Sequence, residues 1–485
     1  MKFCSYIYLF IFLLACRHEK AEGPDGNFPK EISEILLTTC ATPGCHSSQS
    51  SLNAAGLDLS SWHNLMAGSR TGAAVVPYSV EGSFLFNFIN TYSDLGSRQT
   101  PTMPPNGQPL SREQVLTLKQ WIQSGAPDKN GNIAFSGNPS RKKIYVVNQG
   151  CDIMSVIDIE TGLLMRSIPL GKSPAIESPH SVRIRPDGKV GYVVFLQTTF
   201  IQYFNTETDQ ILGEIEIGEG QWNTLVFSSD NRYAFAADFN PDGKIACADL
   251  QRNKLIQTYG GSGFLVNPHG QAYHPNKKEL WVAPQYGNFV YRLDVSDPMN
   301  PSKLDPIILD NSGIPTTNPG LDPHEILFSP DGQNLYTTCA RTNELRITDT
   351  ETGQLLKVIS TGLYPQELSI SKSVTYPYLA ISCMEDSTSF PQLGRGSVKV
   401  LNWKTFETVS EFYPGFQPHG LVLDERDGML WVANRNVSTG GPAPHHSSSC
   451  NGNAGYVNRF QASNGIKQNP YPIWLSIDPY GICIR

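Results

Sequence analysis

A short unit recurs seven times along the last two-thirds of this chain, and that recurrence restricts the fold more than any other feature. It is clearest as Pro179-His180 followed by Pro186-Asp187-Gly188, and again as Pro323-His324 followed by Pro330-Asp331-Gly332. Aligning the copies puts His180, Asn223, His269, His324, Gln366, His419 and Ile473 at one position, at intervals of 42 to 55 residues. A second unit repeats beside it: Val156-Ile157-Asp158-Ile159-Glu160-Thr161-Gly162, Asn205-Thr206-Glu207-Thr208-Asp209 and Arg346-Ile347-Thr348-Asp349-Thr350-Glu351-Thr352-Gly353. Each is followed by an apolar strand ending at Gly171, Gly218 or Gly362. An interval of that length holds four short strands with turns between them, the size of one propeller blade. The 42 Gly and 35 Pro, against only 17% charged residues, suit many short strands joined by tight turns. The strand set from Ile144 to Gly171 lacks an inner strand, and little follows Ile473 to Ile477. One end therefore completes the other's blade, which closes the ring and removes free edges. The reading is an all-β seven-bladed propeller over residues 140–485.

The N-terminus speaks to location. Met1-Lys2 is weakly basic, Tyr6 to Ala15 is apolar, and Leu13-Leu14-Ala15-Cys16 follows. The run is too short to span a bilayer and reads as a signal-peptide core. Leu-x-Ala-Cys resembles the bacterial lipobox, which implies lipidation of Cys16 and a membrane anchor outside the cytoplasm. The alternative is an ordinary cleaved signal peptide with Cys16 incidental. Residues 1–16 are then the signal and 17–28 a polar tether. A net charge of −7 with no basic cluster argues against a nucleic-acid surface. Six cysteines (Cys151, Cys247, Cys339, Cys383, Cys450 and Cys483) are free to pair in an oxidising compartment, with 15 connectivities open.

Between tether and propeller lies the chemistry. Cys40 and Cys45 are followed at once by His46, a pattern in which two thiols attach a haem and the imidazole reaches its iron. The usual spacing is two residues between the cysteines; here it is four. Helices are expected at Glu31 to Thr39, with Ile32, Ile35 and Leu36 on one face, and at Ser83 to Asn90. A third is capped by Ser111 with Gln114, carries Val115, Leu118 and Ile122 on one face, and stops at Gly125. Met103 sits in the stiff run Thr100-Pro101-Thr102-Met103-Pro104-Pro105, suited to presenting a thioether as a second iron ligand. Two other uses of the cysteines stay open: a zinc site built on Cys40, Cys45, His46 and a fourth ligand, or a Cys40–Cys45 disulfide. His63 falls in a turn-to-helix segment.

Residues 29–128 resemble the small all-α cytochrome c domains of planctomycetes and Bacteroidetes. The matching pieces are Cys40…Cys45-His46, Gly56-Leu57-Asp58-Leu59, Ala74-Val75-Val76-Pro77, Met103-Pro104-Pro105 and the Leu110 to Ala126 helix with Trp121-Ile122. The resemblance implies one haem c, attached through Cys40 and Cys45, with His46 as proximal and Met103 as distal ligand. Residues 129–139 are the linker. The propeller resembles the YVTN type, through Tyr145-Val146-Val147-Asn148 and Leu430-Trp431-Val432-Ala433-Asn434.

Four of the seven repeat positions are histidines, and His180, His269, His324 and His419 converge at one mouth of the axis in such a ring. Haem nitrite reductases carry a second haem in a propeller, and nitrous-oxide reductases ring a copper cluster with propeller histidines. The other reading is an imidazole that hydrogen-bonds between blades, as Asn223, Gln366 and Ile473 interrupt the ring. His445-His446…Cys450 lies in a Gly/Ser/Pro-rich insertion read as a loop. The few Trp do not repeat, unlike the docking motifs of quinone-dependent dehydrogenases. The expectation is an extracytoplasmic, lipid-anchored electron carrier that passes electrons to a redox partner protein, with the propeller as docking or accessory module. The alternatives are a redox enzyme with a second cofactor in the propeller channel, and a haemless binding scaffold.

Overall fold

The computed structural model describes residues 24–105, 107–261, 263–435, 450 and 454–485. Cys16, His445 and His446 lie outside the described residues. Helix α1 (Lys30–Ile35) buries Ile32 and Ile35, then widens into a π-helical turn, Leu36–Cys40, which ends on the first cysteine of the pair. Helix α2 (Trp62–Met66) begins at Ser61, whose side chain accepts from the Asn64 N–H. Helix α3 (Phe84–Ile89) sits between Ser83 and Asn90 as expected. Helix α4 (Arg112–Gln123) has the full capping box: Ser111 takes the Gln114 N–H, and the Gln114 side chain takes the Ser111 N–H. It ends at Gly125, at φ +99°, where a Cβ would stand 2.7 Å from the Tyr78 ring. The buried faces of α1, α3 and α4 share one core with Phe28, Leu59 and Leu65.

From Lys143 onward the chain forms seven antiparallel sheets. Blades one to six have inner strands Pro179–Ile184, Trp222–Phe227, Pro268–Tyr273, Pro323–Phe328, Pro365–Ile370 and Pro418–Leu423. In six of the seven blades a left-handed residue and a proline lead into the inner strand. The left-handed residues are Ser178 (φ 58°), Asn267 (43°), Asp322 (55°), Tyr364 (59°), Gln417 (50°) and Asp478 (58°). An inner strand pairs on one side only, so a proline that lacks an N–H costs it no ladder bond there. The second blade begins with Trp222 and has neither device.

The seventh blade closes the ring. Its inner strand, Pro479–Ile484, pairs with Lys143–Asn148, which continues to Ile153–Asp158 and Leu164–Pro169. The expected mutual completion of the two ends is thus present, but the register differs from the sequence reading. The seventh repeat position is Tyr480, not Ile473. Ile473–Leu475 instead pairs with Gly455–Gln461 in the sixth sheet. Extra sequence between Met429–Asn434 and Gly455–Gln461 lengthens that blade, so a regular spacing lands short of the true inner strand.

The helical domain leans on the seam of the ring. Ala73 and Val76 pack into a cluster with Ile144, Leu164, Trp431, Ile473 and Leu475. The Arg166 guanidinium lies 5.7 Å from the Tyr78 ring centroid and donates to the Ala134 carbonyl and Ser136 Oγ, each at 3.0 Å. Among the described residues no helix is long and apolar enough to cross a membrane.

Candidate functional site: a cysteine-histidine loop on the helical domain

The five residues after the π-helical turn fold back on themselves. The Ala41 N–H reaches the Leu36 carbonyl at 2.8 Å, the Cys45 N–H reaches Thr42 at 3.0 Å, and the His46 N–H reaches Cys40 at 3.1 Å. The last bond brings the second cysteine and the histidine back beside the first, so the four-residue spacer forms a closed loop. Cys40 is half-buried against the helical core while Cys45 is exposed, and both are free thiols. Burial pushes the Cys40 thiol up to about 11, with the neighbouring Cys45 adding to the shift.

His46 is held from behind. Its Nδ1 lies 3.2 Å from the Leu57 carbonyl, and the Leu59 N–H bonds the His46 carbonyl at 2.8 Å. A carbonyl can only accept, so Nδ1 carries the proton and Nε2 keeps its lone pair. That is the tautomer and the outer contact a metal-ligating histidine needs. Met103 packs against the same core as Cys40 and is half-buried. Its N–H bonds the Phe88 carbonyl at the end of α3 at 2.8 Å. Cys40 and Met103 share one apolar core, and with the exposed Cys45 thiol and an imidazole fixed by its far nitrogen they are the donor types a haem c uses. Among the described residues no group of three or more His, Cys, Asp or Glu side chains is placed to hold a metal ion.

The propeller histidines do come together, as a chain of rings around the axis. Centroids are 6.4 Å apart for His180–His269, 3.9 Å for His269–His324 and 6.3 Å for His324–His419. Tyr480 closes the circle, 3.5 Å from His419 and 4.3 Å from His180. His180 Nδ1 bonds the Asn223 carbonyl at 2.7 Å, and His269 Nδ1 bonds the His324 carbonyl at 3.1 Å. These two are bonds from one blade to the next, whereas His324 Nδ1 and both His419 ring nitrogens are buried without a hydrogen-bond partner among the described residues. Burial lowers all four imidazoles, His180 to about 3 and His269 to about 4, so they are neutral at ordinary pH. The sequence reading missed Tyr480, although Asp478-Pro479-Tyr480-Gly481 follows the pattern of Gln417-Pro418-His419-Gly420. It also left the cysteines unpaired; Cys151 and Cys450 form a disulfide, while Cys247, Cys339, Cys383 and Cys483 are buried thiols.

Residues 43–107 match the family model described as Planctomycete cytochrome C, a stretch that takes in Cys45, His46 and Met103 and begins just past Cys40. No curated protein matches the chain. Among solved structures, it is similar to a functionally unknown protein from Desulfotomaculum acetoxidans DSM 771. The TM-score is 0.54 at 17% identity, over 70% of this chain and 98% of that one, a likeness of fold alone. A weaker similarity, with a TM-score of 0.44, 18% identity and coverage of 55% of this chain and 76% of that one, is to Kuenenia stuttgartiensis hydrazine synthase. The chain joins a cytochrome c-type domain to a seven-bladed propeller.

Proposed function

We propose that this protein passes single electrons through one haem c carried outside the cytoplasm, and that its propeller docks a redox partner protein. The observation that carries the reading is the fixed His46 imidazole, with Nδ1 on the Leu57 carbonyl and Nε2 left for a metal. Cys40 and Cys45 would form the two thioethers, and Met103 the second axial bond. A bound haem c supplies a one-electron iron couple, and a His/Met ligand pair favours its reduced state. The chain's own work is positional: the closed loop aligns both thiols, the Leu57 carbonyl orients the imidazole, and the α3 end carries the Met103 loop. Cys16, as a lipidated residue, would tether the domain to a membrane. His180 and His269 bond from one blade to the next, a structural use of those imidazoles that goes with a docking role for the ring.

The test is expression with c-type maturation, followed by a visible spectrum and haem content of the purified protein. One haem per chain that resists acid-solvent extraction is expected. The Cys40→Ser, Cys45→Ser double variant loses it. Met103→Ala keeps the covalent haem but lowers its midpoint potential and lets added imidazole bind. Protein without covalent haem overturns the reading.

A further inference from the structure

One short segment grips His46 at two points. Leu57 supplies the carbonyl behind the ring, 3.2 Å from Nδ1, and Leu59 donates its N–H to the His46 carbonyl at 2.8 Å. Between them stands Asp58, the one Asp, Glu, Lys or Arg between Glu34 and Arg70. A carbonyl lies in the peptide plane it shares with the next residue, so the direction of the Leu57 oxygen is set by where Asp58 is held. The Leu57 N–H bonds the Ala54 carbonyl at 3.0 Å, which fixes the peptide plane before Leu57 and not the one after it. Leu59, buried in the helical core, anchors the far side of the segment.

Asp58 is half-buried, and neutral donors meet its carboxylate. One oxygen takes the Ser60 N–H at 2.9 Å, and the other takes the Asn64 side-chain amide at 3.0 Å. The same amide reaches Ser60 Oγ at 3.3 Å, and that oxygen lies 2.8 Å from Ser48 Oγ. Burial opposes the charge, yet the bonds from Ser60, Ser48 and Asn64 hold the Asp58 carboxyl below its usual range. Bonds to an ionised acceptor are roughly twice as strong as neutral ones, so this one side chain is a strong tie. What it ties to is itself fixed. Asn64 belongs to α2, where the Trp62 N–H bonds the Gly26 carbonyl and its indole N–H the Ala126 carbonyl, each at 2.8 Å. Ser48 stands two residues past His46, in the histidine's own loop.

We infer, on the reading of His46 as the iron ligand, that Asp58 is a positioning residue for it. By pinning the Leu57–Asp58 peptide plane to α2, Asp58 fixes the acceptor of the Nδ1 proton. An outer hydrogen bond of that kind sets the orientation of the ring and raises the basicity of the nitrogen that faces the metal. Asp58 touches neither the imidazole nor the iron; it acts through the Leu57 carbonyl. Asn64 shares the role, because it holds the carboxylate from the helix side.

Two readouts test this, one with haem and one without. In the ferrous Met103→Ala protein the iron–histidine stretching band in resonance Raman spectra reports the Nδ1 bond. Asp58→Ala and Asn64→Ala are each expected to move it to lower frequency, although Asn64→Ala leaves the carboxylate's charge in place. In full-length protein made without haem, ring-nitrogen NMR of labelled histidine reads the same bond, with the His46 signal identified by its loss in His46→Gln. The Nδ1 proton is expected to exchange with water about tenfold faster in Asp58→Ala than in the parent. Parental bands in both variants, a shift in Asp58→Ala without one in Asn64→Ala, or an unchanged exchange rate overturns the proposal. Should Asp58→Ala fail to fold, the near-isosteric Asp58→Asn, which loses the Asn64 bond, is read in its place. Protein that carries no covalent haem overturns the electron-transfer reading instead, and the haem-free measurement then judges Asp58 alone.

Discussion

Lys143 is 2% exposed, yet it carries an ammonium into the wall between the seventh blade and the first. Both Asp209 oxygens lie 2.8 Å from its Nζ, and the Thr206 and Glu207 carbonyls take further bonds at 2.9 and 3.2 Å. Tyr145 donates its hydroxyl to the same carboxylate at 2.7 Å. Burial lowers the Lys143 pKa in spite of Asp209, so the pair is held by complete bonding rather than by surplus Coulomb energy. Removing one partner strands the other charge. Asp209→Ala is expected to cost about 3–5 kcal/mol, read as a lower denaturant midpoint, whereas Lys143→Met with Asp209→Leu recovers most of that loss. An unchanged midpoint in Asp209→Ala would contradict this account. Sequence showed Asp209 only as the end of a repeated turn. Its partner, 66 residues away, becomes visible only when the blades are set side by side.

The inner strand is the element in which local pattern and long-range order meet. Its proline and second-position histidine stood in the sequence as a repeated unit, whereas the left-handed residue before the proline, which ranges from Ser178 to Tyr364, has no common identity to read. Helix α4 was legible because Ser111, Gln114 and Gly125 are local signals. What stayed hidden were the features set by packing across blades, such as Tyr480 in the histidine circle and the bonds between Lys143 and Asp209. The haem-type loop was legible as three residues. The Leu57 carbonyl behind His46 was not, since a backbone acceptor leaves no mark on residue identity.

The buried histidines have a consequence for stability. Their folded pKa values lie below the ordinary 6.5, near 3 for His180 and 4 for His269. Between those values and 6.5 the unfolded chain binds a proton at each site and the folded chain does not. Stability therefore rises with pH there, and is lost as pH falls below 6.5 by up to about 1.4 kcal/mol per pH unit per histidine. Urea midpoints measured from pH 7 to 4.5 are expected to fall, with a shallower slope in His180→Asn. Identical slopes in the two proteins would refute a contribution from His180.

At the scale of the whole molecule, the ring depends on a single junction. Residues 479–484 supply the inner strand of the sheet whose other three strands begin at Lys143, and the Cys151–Cys450 disulfide ties that blade to the sixth beside it. A chain ending at Asp478 leaves Lys143–Asn148 as an open edge with Tyr145 and Val147 uncovered. Such a chain is expected to aggregate or to lose the cooperative unfolding of the propeller. On the proposed function the haem spectrum is expected to persist, since the helical domain has a core of its own. Size-exclusion chromatography together with the visible spectrum separates the two effects, and a monomeric, cooperatively unfolding product would show that closure is dispensable.

That junction also sets a timetable for making the protein. During synthesis the segment bearing Cys40, Cys45, His46 and Met103 emerges complete while the strand that seals the ring is still hundreds of residues from being added. On the proposed function, haem attachment need not wait for ring closure, because every residue it would use lies ahead of the propeller in the chain.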